Sequence, residues 1–401
     1  MKPIVIIGTG LAGYTVAREF RKLDKTTPLI IVTADAGGFY SKPMLSNAYA
    51  QNKQAQQLIT HSATQMAEQL NANLMTGTQV DGIDSANKTV ATSAGVFEYD
   101  KLVIAVGAQP IRLGLKGDAA HEVLSVNNID DYEKFRTHID NPKNAHPVRI
   151  AILGAGLIGC EFADDLAGAG HAVTLIDPSS RPLAALAAPA LSEGMQKALS
   201  ARGVKFHLNT VAENVERVGT DLRVQLADGA SVEADIVLSA VGLRPDLTLA
   251  IAAQLKTGRG IIIDTSGQTS APDIYALGDC AEYTTPLDGG TRTLPYIAPI
   301  LTAGRAIAKT LAGDKTEIDL KAAPVLIKTP SYPVALIPPP PHAISTGRWE
   351  MDMTDTRTVC RFYDAKNVMT GFGVSPHDNA IRQELLGALG KSAEAAGSNA
   401  G

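Results

Sequence analysis

The chain has little cysteine. Cys160, Cys280 and Cys360 are the only three in 401 residues, and none stands in a CxxC or similar spacing. That excludes a disulfide framework and a zinc knuckle. The eight histidines show no ligand spacing, so no metal site is expected. No apolar run is long enough to span a bilayer, and Met1-Lys2-Pro3 leads straight into Ile4-Val5-Ile6-Ile7 without a secretory pattern. The expectation is a cytoplasmic enzyme with no membrane insertion. Positive charge is not in excess either: the formal net charge is −5, whereas general nucleic-acid binding needs a dominant basic surface.

What is present is ordinary for a folded protein, with 45% hydrophobic and 19% charged residues. The length suggests two or three domains. An apolar strand Ile4 to Ile7, a glycine turn, a helix to about Leu23 and a strand Leu29 to Thr33 make a βαβ opening. The same order returns as strand Arg149 to Leu153, a glycine turn, a helix to about Ala169 and strand Ala172 to Ile176. The repetition predicts two copies of one nucleotide-binding unit.

Each turn carries the residues such a unit needs. Gly8-Thr9-Gly10-Leu11-Ala12-Gly13 has one glycine for the tight turn, one for close approach of a pyrophosphate and one for helix–strand packing. The helix N-terminus then offers free N–H groups to the phosphates. Asp35 follows Gly13 by twenty-two residues, where an acid is expected to bind a ribose hydroxyl. Gly154-Ala155-Gly156-Leu157-Ile158-Gly159 repeats the pattern, with Asp177 eighteen residues on. A carboxylate there favours a free 2′-hydroxyl, hence NADH over NADPH, although Arg181 lies close in sequence. Two further apolar runs, Lys101 to Gly107 and Ile236 to Gly242, end on glycine and are soon followed by proline. They place Ala105, Gly107 and Gly242 where strands leave the sheet at its ligand edge.

The stretch Thr269-Ser270-Ala271-Pro272-Asp273-Ile274-Tyr275-Ala276-Leu277-Gly278-Asp279-Cys280-Ala281 resembles the segment that closes the flavin site in the FAD/NAD-dependent pyridine nucleotide reductases of the glutathione-reductase fold. Within that fold the chain is similar to bacterial rubredoxin–NAD reductases. The narrower likeness rests on Phe39-Tyr40-Ser41-Lys42-Pro43-Met44-Leu45-Ser46, Gly107-Ala108-Gln109-Pro110, Gly154 to Glu161, Ser239 to Pro245, Lys328-Thr329-Pro330 and the run Pro338 to Pro341. The resemblance implies an α/β chain with two Rossmann-like dinucleotide domains and a small α+β C-terminal domain. Its expected parts are an FAD domain at 1–112 and 240–322, an NAD domain at 113–239, a third domain at 323–390 and a disordered tail at 391–401.

It also implies roles. Asp279 binds the ribityl chain, Lys42 with Pro43 reaches the flavin N5 region, and Tyr296 lines the flavin's pyrimidine end. Glu161 is the acid on the nicotinamide side; read from the residues alone it is a first-turn glutamate complementing the helix dipole. Disulfide reductases of this fold carry a cysteine pair after the first βαβ unit, and some flavin oxidases a cysteine near the position of Lys42; neither is present. Cys160 and Cys280 read as small buried hydrophobes. The acceptor is then external. The expected reaction is NADH:rubredoxin oxidoreduction, feeding an alkane hydroxylase chain. A ferredoxin reductase of an oxygenase system and an apoptosis-factor-like structural flavoprotein are the alternatives. Rubredoxins are small acidic iron proteins, and residues 1–60 hold Lys2, Arg18, Arg21, Lys22, Lys25, Lys42 and Lys53 against three acids, a local net charge of +4 that can steer such a partner.

Overall fold

A computed structural model of the chain describes residues 1–141, 147–284 and 290–392. From residue 393 on, the expected tail lies outside the described residues. Two compact units emerge. One comprises Met1–Lys42, Gln56–Gln109 and Leu243–Lys321; the other comprises Pro43–Ala55, Pro110–Gly242 and Ala322–Gly401.

The first unit is built on a parallel sheet in the order Ile274–Ala276, Lys101–Ile104, Ile4–Ile7, Leu29–Val32, Asn73–Met75. Ile4, Val5, Ile6 and Ile7 are all buried, as an unbroken β-branched run must be when helices or loops cover both faces. Helices Leu11–Leu23 and Ile297–Leu311 lie against each other at one face, so close that a Cβ on Gly304 would stand 2.6 Å from Thr15 Cγ2. A three-stranded meander, Val80–Asp84, Thr89–Thr92 and Gly95–Glu98, completes this unit.

The second unit repeats the parallel core as Lys205–Leu208, Ala172–Asp177, Arg149–Leu153, Ile236–Ser239. It adds its own meander, Ala212–Val218, Asp221–Leu226 and Ser231–Ala234. Beyond Ala322 the chain forms an antiparallel sheet in the order Val325–Ile327, Val334–Ile337, Met369–Ser375, Thr358–Tyr363, Arg348–Met353. Helix Asn379–Ala388 buries Leu385 against Val359, Phe372 and Val374 on one face. On the other, helix Pro189–Ala201 brings Leu191 Cδ1 to 2.4 Å from where a Cβ of Gly373 would be. A larger residue there would require the Leu191 side chain to move.

The placement of Pro43–Ala55 differs from the sequence expectation, which put it with the flavin half. Its polar groups decide the matter. Arg136 donates to Lys53 O at 2.9 Å and to Asn52 Oδ1 at 2.6 Å, Tyr132 Oη donates to Lys53 O at 2.9 Å, and Tyr49 Oη donates to Asp140 at 2.8 Å. All these partners lie on or next to helix Ile129–Ile139.

Candidate functional site

The two glycine turns are built alike. Gly8 (φ +108°) and Gly154 (φ +103°) adopt backbone that L side chains avoid. A Cβ would fall 2.3 Å from Ala105 O in the first case and 2.7 Å from Ala240 O in the second. Gly13 and Gly159 pack their helices onto the turns, where a Cβ would meet Gly8 O at 2.0 Å and Gly154 O at 1.9 Å. Gly10 and Gly156 are different. Each is the N-cap of its helix, makes no side-chain capping bond, and has nothing within 4 Å of a would-be Cβ. Leu11 and Ala12, like Leu157 and Ile158, continue into first turns without an acidic residue. Each helix therefore presents unsatisfied N–H groups and its positive dipole end to open space. A dinucleotide pyrophosphate fits both places. Around the same turns Ala105 is buried, and Gly107 (φ +72°) and Gly242 (φ +109°) turn the chain out of the sheet.

The two acids are not equivalent in position. Gly8 N donates to Val32 O and Gly154 N to Ile176 O, both at 2.8 Å. Asp177 therefore stands at the strand-end position that Thr33 occupies in the first unit, and Asp35 lies two residues further. Asp35 compensates by reaching back. Its Oδ1 accepts from Thr33 Oγ1 at 2.8 Å, Thr9 Oγ1 at 3.1 Å and Gly37 N at 2.8 Å. Asp177 accepts from Ala155 N at 2.6 Å and Ser179 N at 2.7 Å. Each acid thus ties its own glycine turn to its second strand.

In the first unit Asp279 sits in the 3₁₀ turn Gly278–Cys280, reached through Gly278 at φ +80°. Tyr283 Oη accepts the Gly278 N–H at 2.7 Å. Tyr296 is the N-cap of helix Ile297–Leu311, again without a side-chain cap or a first-turn acid, and Ile300 of that turn stands near Gly278. Burial pushes the Asp279 carboxyl up, and the Lys42 ammonium pulls it back. Burial also raises the Tyr296 phenol. Lys42, half-buried, opens the 3₁₀ helix Lys42–Asn47. Cys280 is fully buried with its thiol pushed up to about 11, chiefly by burial, and Cys360 is buried and pushed up to about 12. Cys160 is buried as well, with its thiol driven far above its ordinary range.

In the second unit the helix Leu157–Gly168 carries three buried acids. Glu161 is 1% exposed; its Oε2 accepts from Ser46 Oγ at 2.5 Å and its Oε1 from Lys328 N at 2.8 Å. Lys328 Nζ donates to Pro43 O at 2.6 Å. Asp164 takes Ser331 Oγ at 2.6 Å and Arg202 Nε at 3.2 Å. Asp165 accepts Tyr49 N at 2.9 Å and Ala50 N at 3.3 Å. Both Glu161 oxygens are thus hydrogen-bonded within this unit, and Glu161 lies beyond the helix's first turn, which carries no acidic residue. Ser46, Asp164, Asp165 and Lys328 were missed as a cluster. Acids at i, i+3 and i+4 in the otherwise apolar helix Leu157–Gly168 were the signal.

Two cations of the basic first helix are engaged within their own unit. Arg18 lies 4.1 Å over the Phe39 ring, and Arg21 donates to Leu70 O at 2.5 Å and Asn71 O at 2.9 Å. Both hold neighbouring elements: Arg18 also reaches Met66 Sδ at 3.4 Å, and Arg21, beside a helix C-terminus, finds unpaired carbonyls. Lys22 and Lys25 remain exposed.

A pyridine nucleotide-disulphide oxidoreductase family model matches residues 2–300. The chain belongs to that family. In this oxidoreductase the cysteines are free and buried, so the disulphide of the family's name has no counterpart here. A model described as a rubredoxin binding C-terminal domain matches residues 317–389, which include the antiparallel sheet. The oxidoreductase is 44% identical over 386 residues to a rubredoxin-NAD(+) reductase of Alcanivorax borkumensis, covering 96% of this chain and 97% of the relative. It is 41% identical over 378 residues to one of Acinetobacter baylyi, covering 93% of each. Its fold is that of the reductase in a crystal structure of a covalent putidaredoxin reductase–putidaredoxin complex, with a TM-score of 0.87, 26% identity and coverage of 99% and 95%. Among the described residues no helix is long and apolar enough to cross a membrane.

Proposed function

We propose that the chain is a cytoplasmic NADH:rubredoxin oxidoreductase that uses FAD. The observation carrying this reading is the joint presence of two open glycine turns, each at an uncapped helix N-terminus, and a C-terminal segment matched by a rubredoxin-binding model. FAD, when bound, accepts two electrons as hydride from NADH and returns them singly to one-electron carriers.

The residues divide between the two nucleotides. Gly8, Gly10, Leu11, Ala12 and Gly13 take the FAD pyrophosphate, and Asp35 with Thr33 faces its ribose. Asp279 takes the ribityl chain, Ala105 and Gly107 flank it, and Tyr296 lines the ring. Lys42 supplies positive charge where the ring becomes electron-rich. Gly154, Gly156, Leu157, Ile158 and Gly159 take the NADH pyrophosphate, with Gly242 beside them and Asp177 on the ribose. Glu161 acts from behind, as a positioning residue that holds Ser46 and Lys328. The flavin domain is 1–112 and 240–322 apart from the strap at 43–55, and the nicotinamide domain is 113–239. An alkane hydroxylase is a fitting consumer of the reduced rubredoxin.

The test is stopped-flow oxidation of NADH by the FAD-loaded chain with rubredoxin and, separately, a [2Fe–2S] ferredoxin. Fast bleaching of rubredoxin alone is expected. Preference for ferredoxin makes the chain the reductase of an oxygenase system, and bleaching of neither makes it a structural flavoprotein.

A further inference from the structure

The proposed carrier is a small acidic protein, and the first unit holds a cationic helix face that its own packing does not use. Helix Ile297–Leu311 contains Arg305 and Lys309 and no acidic residue. Both cations are exposed. Four residues apart, they share one side of the helix, opposite the buried Ile300, Ala303, Ile307 and Leu311. Neither side chain has a hydrogen-bond or ion-pair partner among the described residues. Other cations of this unit have evident structural work: Arg18 covers the Phe39 ring, and Arg21 holds Leu70 O and Asn71 O. Lys309 lies in the last helical turn, where a cation complements the dipole. Arg305 stands six residues before Leu311, and that effect fades within one turn.

The face starts at the flavin end of the unit. A Cβ on Gly278, next to Asp279, would stand 3.0 Å from Ala12 Cβ and 4.0 Å from Ile300 Cγ1, and one on Gly304 would stand 2.6 Å from Thr15 Cγ2. Helices Leu11–Leu23 and Ile297–Leu311 therefore set out together from the Asp279 turn and run side by side. Arg305 is nine residues past the N-cap Tyr296, about 14 Å along the helix axis. Ile297, 44% exposed, and the half-buried Leu301 lie between them at the same four-residue step. Exposed apolar residues bordered by charge make up the anatomy of a docking patch. The exposed Lys22 and Lys25 add positive field at the far end of the neighbouring helix. The rubredoxin-binding match begins at residue 317, six residues after this helix ends at Leu311.

We propose that the outward face of helix Ile297–Leu311 docks the acidic one-electron carrier, with Arg305 as the anchoring cation and Ile297 and Leu301 as the apolar contact at the flavin end. A guanidinium offers paired N–H donors to one carboxylate, so it fixes the orientation of a partner as well as attracting it. A carrier seated there is held against the helix whose N-cap, Tyr296, lines the flavin ring in the proposed function. Lys309 and the two lysines of helix Leu11–Leu23 strengthen the field that brings the carrier in.

This inference rests on the proposed function for the identity of the carrier, and its test needs no turnover. Zinc-substituted rubredoxin keeps its acidic surface and accepts no electron. Labelled with a fluorophore, it is titrated with the FAD-loaded full chain at low and at high salt, and binding is read by anisotropy. Arg305→Glu should weaken binding at low salt by at least about tenfold, and the gap should close at high salt as ions screen it. Arg305→Lys keeps the charge without the planar fork and should fall between the two. Lys134→Glu makes an equal change of charge at an exposed lysine of the other unit and should bind as the unaltered chain does. Equal binding by Arg305→Glu and the unaltered chain, an equal loss in Lys134→Glu, or no binding by the unaltered chain overturns the proposal. Binding that depends on Arg305, in a chain that does not bleach native rubredoxin with NADH, upholds the docking face and sinks the proposed turnover.

Discussion

The Ala155 backbone N–H donates to Asp177 Oδ2 at 2.6 Å, joining the second glycine turn to the acid expected to face the nicotinamide nucleotide's ribose. The same carboxylate takes Ser179 N through Oδ1. Each oxygen keeps a lone pair for a ribose hydroxyl. Asp177→Ala removes a charged acceptor from two backbone N–H groups, a loss of about 1.5–3 kcal/mol per charged bond. NADH KM should rise roughly 10- to 100-fold while NADPH is disfavoured less than before. Flavin content should not change, because the first turn has its own acid. Steady-state rates with both nucleotides check this; an unchanged ratio between them would show that Asp177 only shapes the turn.

The glycines separate packing from ligand approach. Gly159→Ala places a methyl 1.9 Å from Gly154 O, a backbone atom that cannot swing aside, and should cost several kcal/mol. Gly156→Ala meets nothing within 4 Å. Its thermal unfolding should stay within about 0.5 kcal/mol of the parent, yet NADH binding should be lost, because the methyl stands where the pyrophosphate approaches. Gly10→Ala should likewise give a folded chain that loses FAD. Unfolding curves, flavin absorbance and NADH titration measure all three, and normal NADH affinity in Gly156→Ala would move the phosphate site elsewhere.

The regular, repeated parts of the fold were legible. Ile4–Ile7 and Arg149–Leu153 are apolar runs before glycine, and both strands begin and end as read. Local pattern could not reveal partners distant in sequence. Nothing near Tyr49 announces that its backbone N–H will find Asp165, 116 residues away. A spacing count placed Asp35 well enough, but only strand pairing shows that Thr33 holds the position matching Asp177. Glu161 was singled out for its place after the second turn, and its burial became visible only once Ser46 and Lys328 were brought to it. Arg21 looked like part of a wet helix face because the helix end it caps, at Leu70, lies 49 residues further on.

Asp165 should leave a mark on stability against pH. Burial first, and the neighbouring Asp164, push its carboxyl up to about 6; hydrogen bonds from Ala50 and Tyr49 and the Arg136 charge oppose the rise. Unfolded, it returns to about 3.9. The folded chain therefore holds the proton more tightly between these values, so this contribution is fully present below about pH 4 and is lost as pH rises through about 6. Asp165→Asn removes the titration. The stability of the parent relative to that variant should fall by on the order of 2–3 kcal/mol between pH 4 and 7, and other titrating groups cancel in the difference. Urea unfolding of both proteins across that range checks it, with parallel curves as the contrary result.

Arg21 and its lysine neighbours should now behave differently. Arg21 donates to Leu70 O, Asn71 O and Asp24 O at 2.5, 2.9 and 3.1 Å, so Arg21→Ala should destabilise by about 1–3 kcal/mol and leave rubredoxin reduction unaltered below its melting temperature. Lys22 and Lys25 are exposed, and Lys22 pairs with Glu19 at 2.7 Å. Such a surface pair contributes at most about 1 kcal/mol. Reversing both lysines to glutamate should therefore spare stability. If this face steers an acidic carrier, the reversal should slow rubredoxin reduction at low salt, fade as salt rises, and leave reduction of an uncharged quinone unchanged. An equal effect on quinone and carrier would remove the helix Leu11–Leu23 from the docking face, and a rate loss in Arg21→Ala at full folding would restore Arg21 to it.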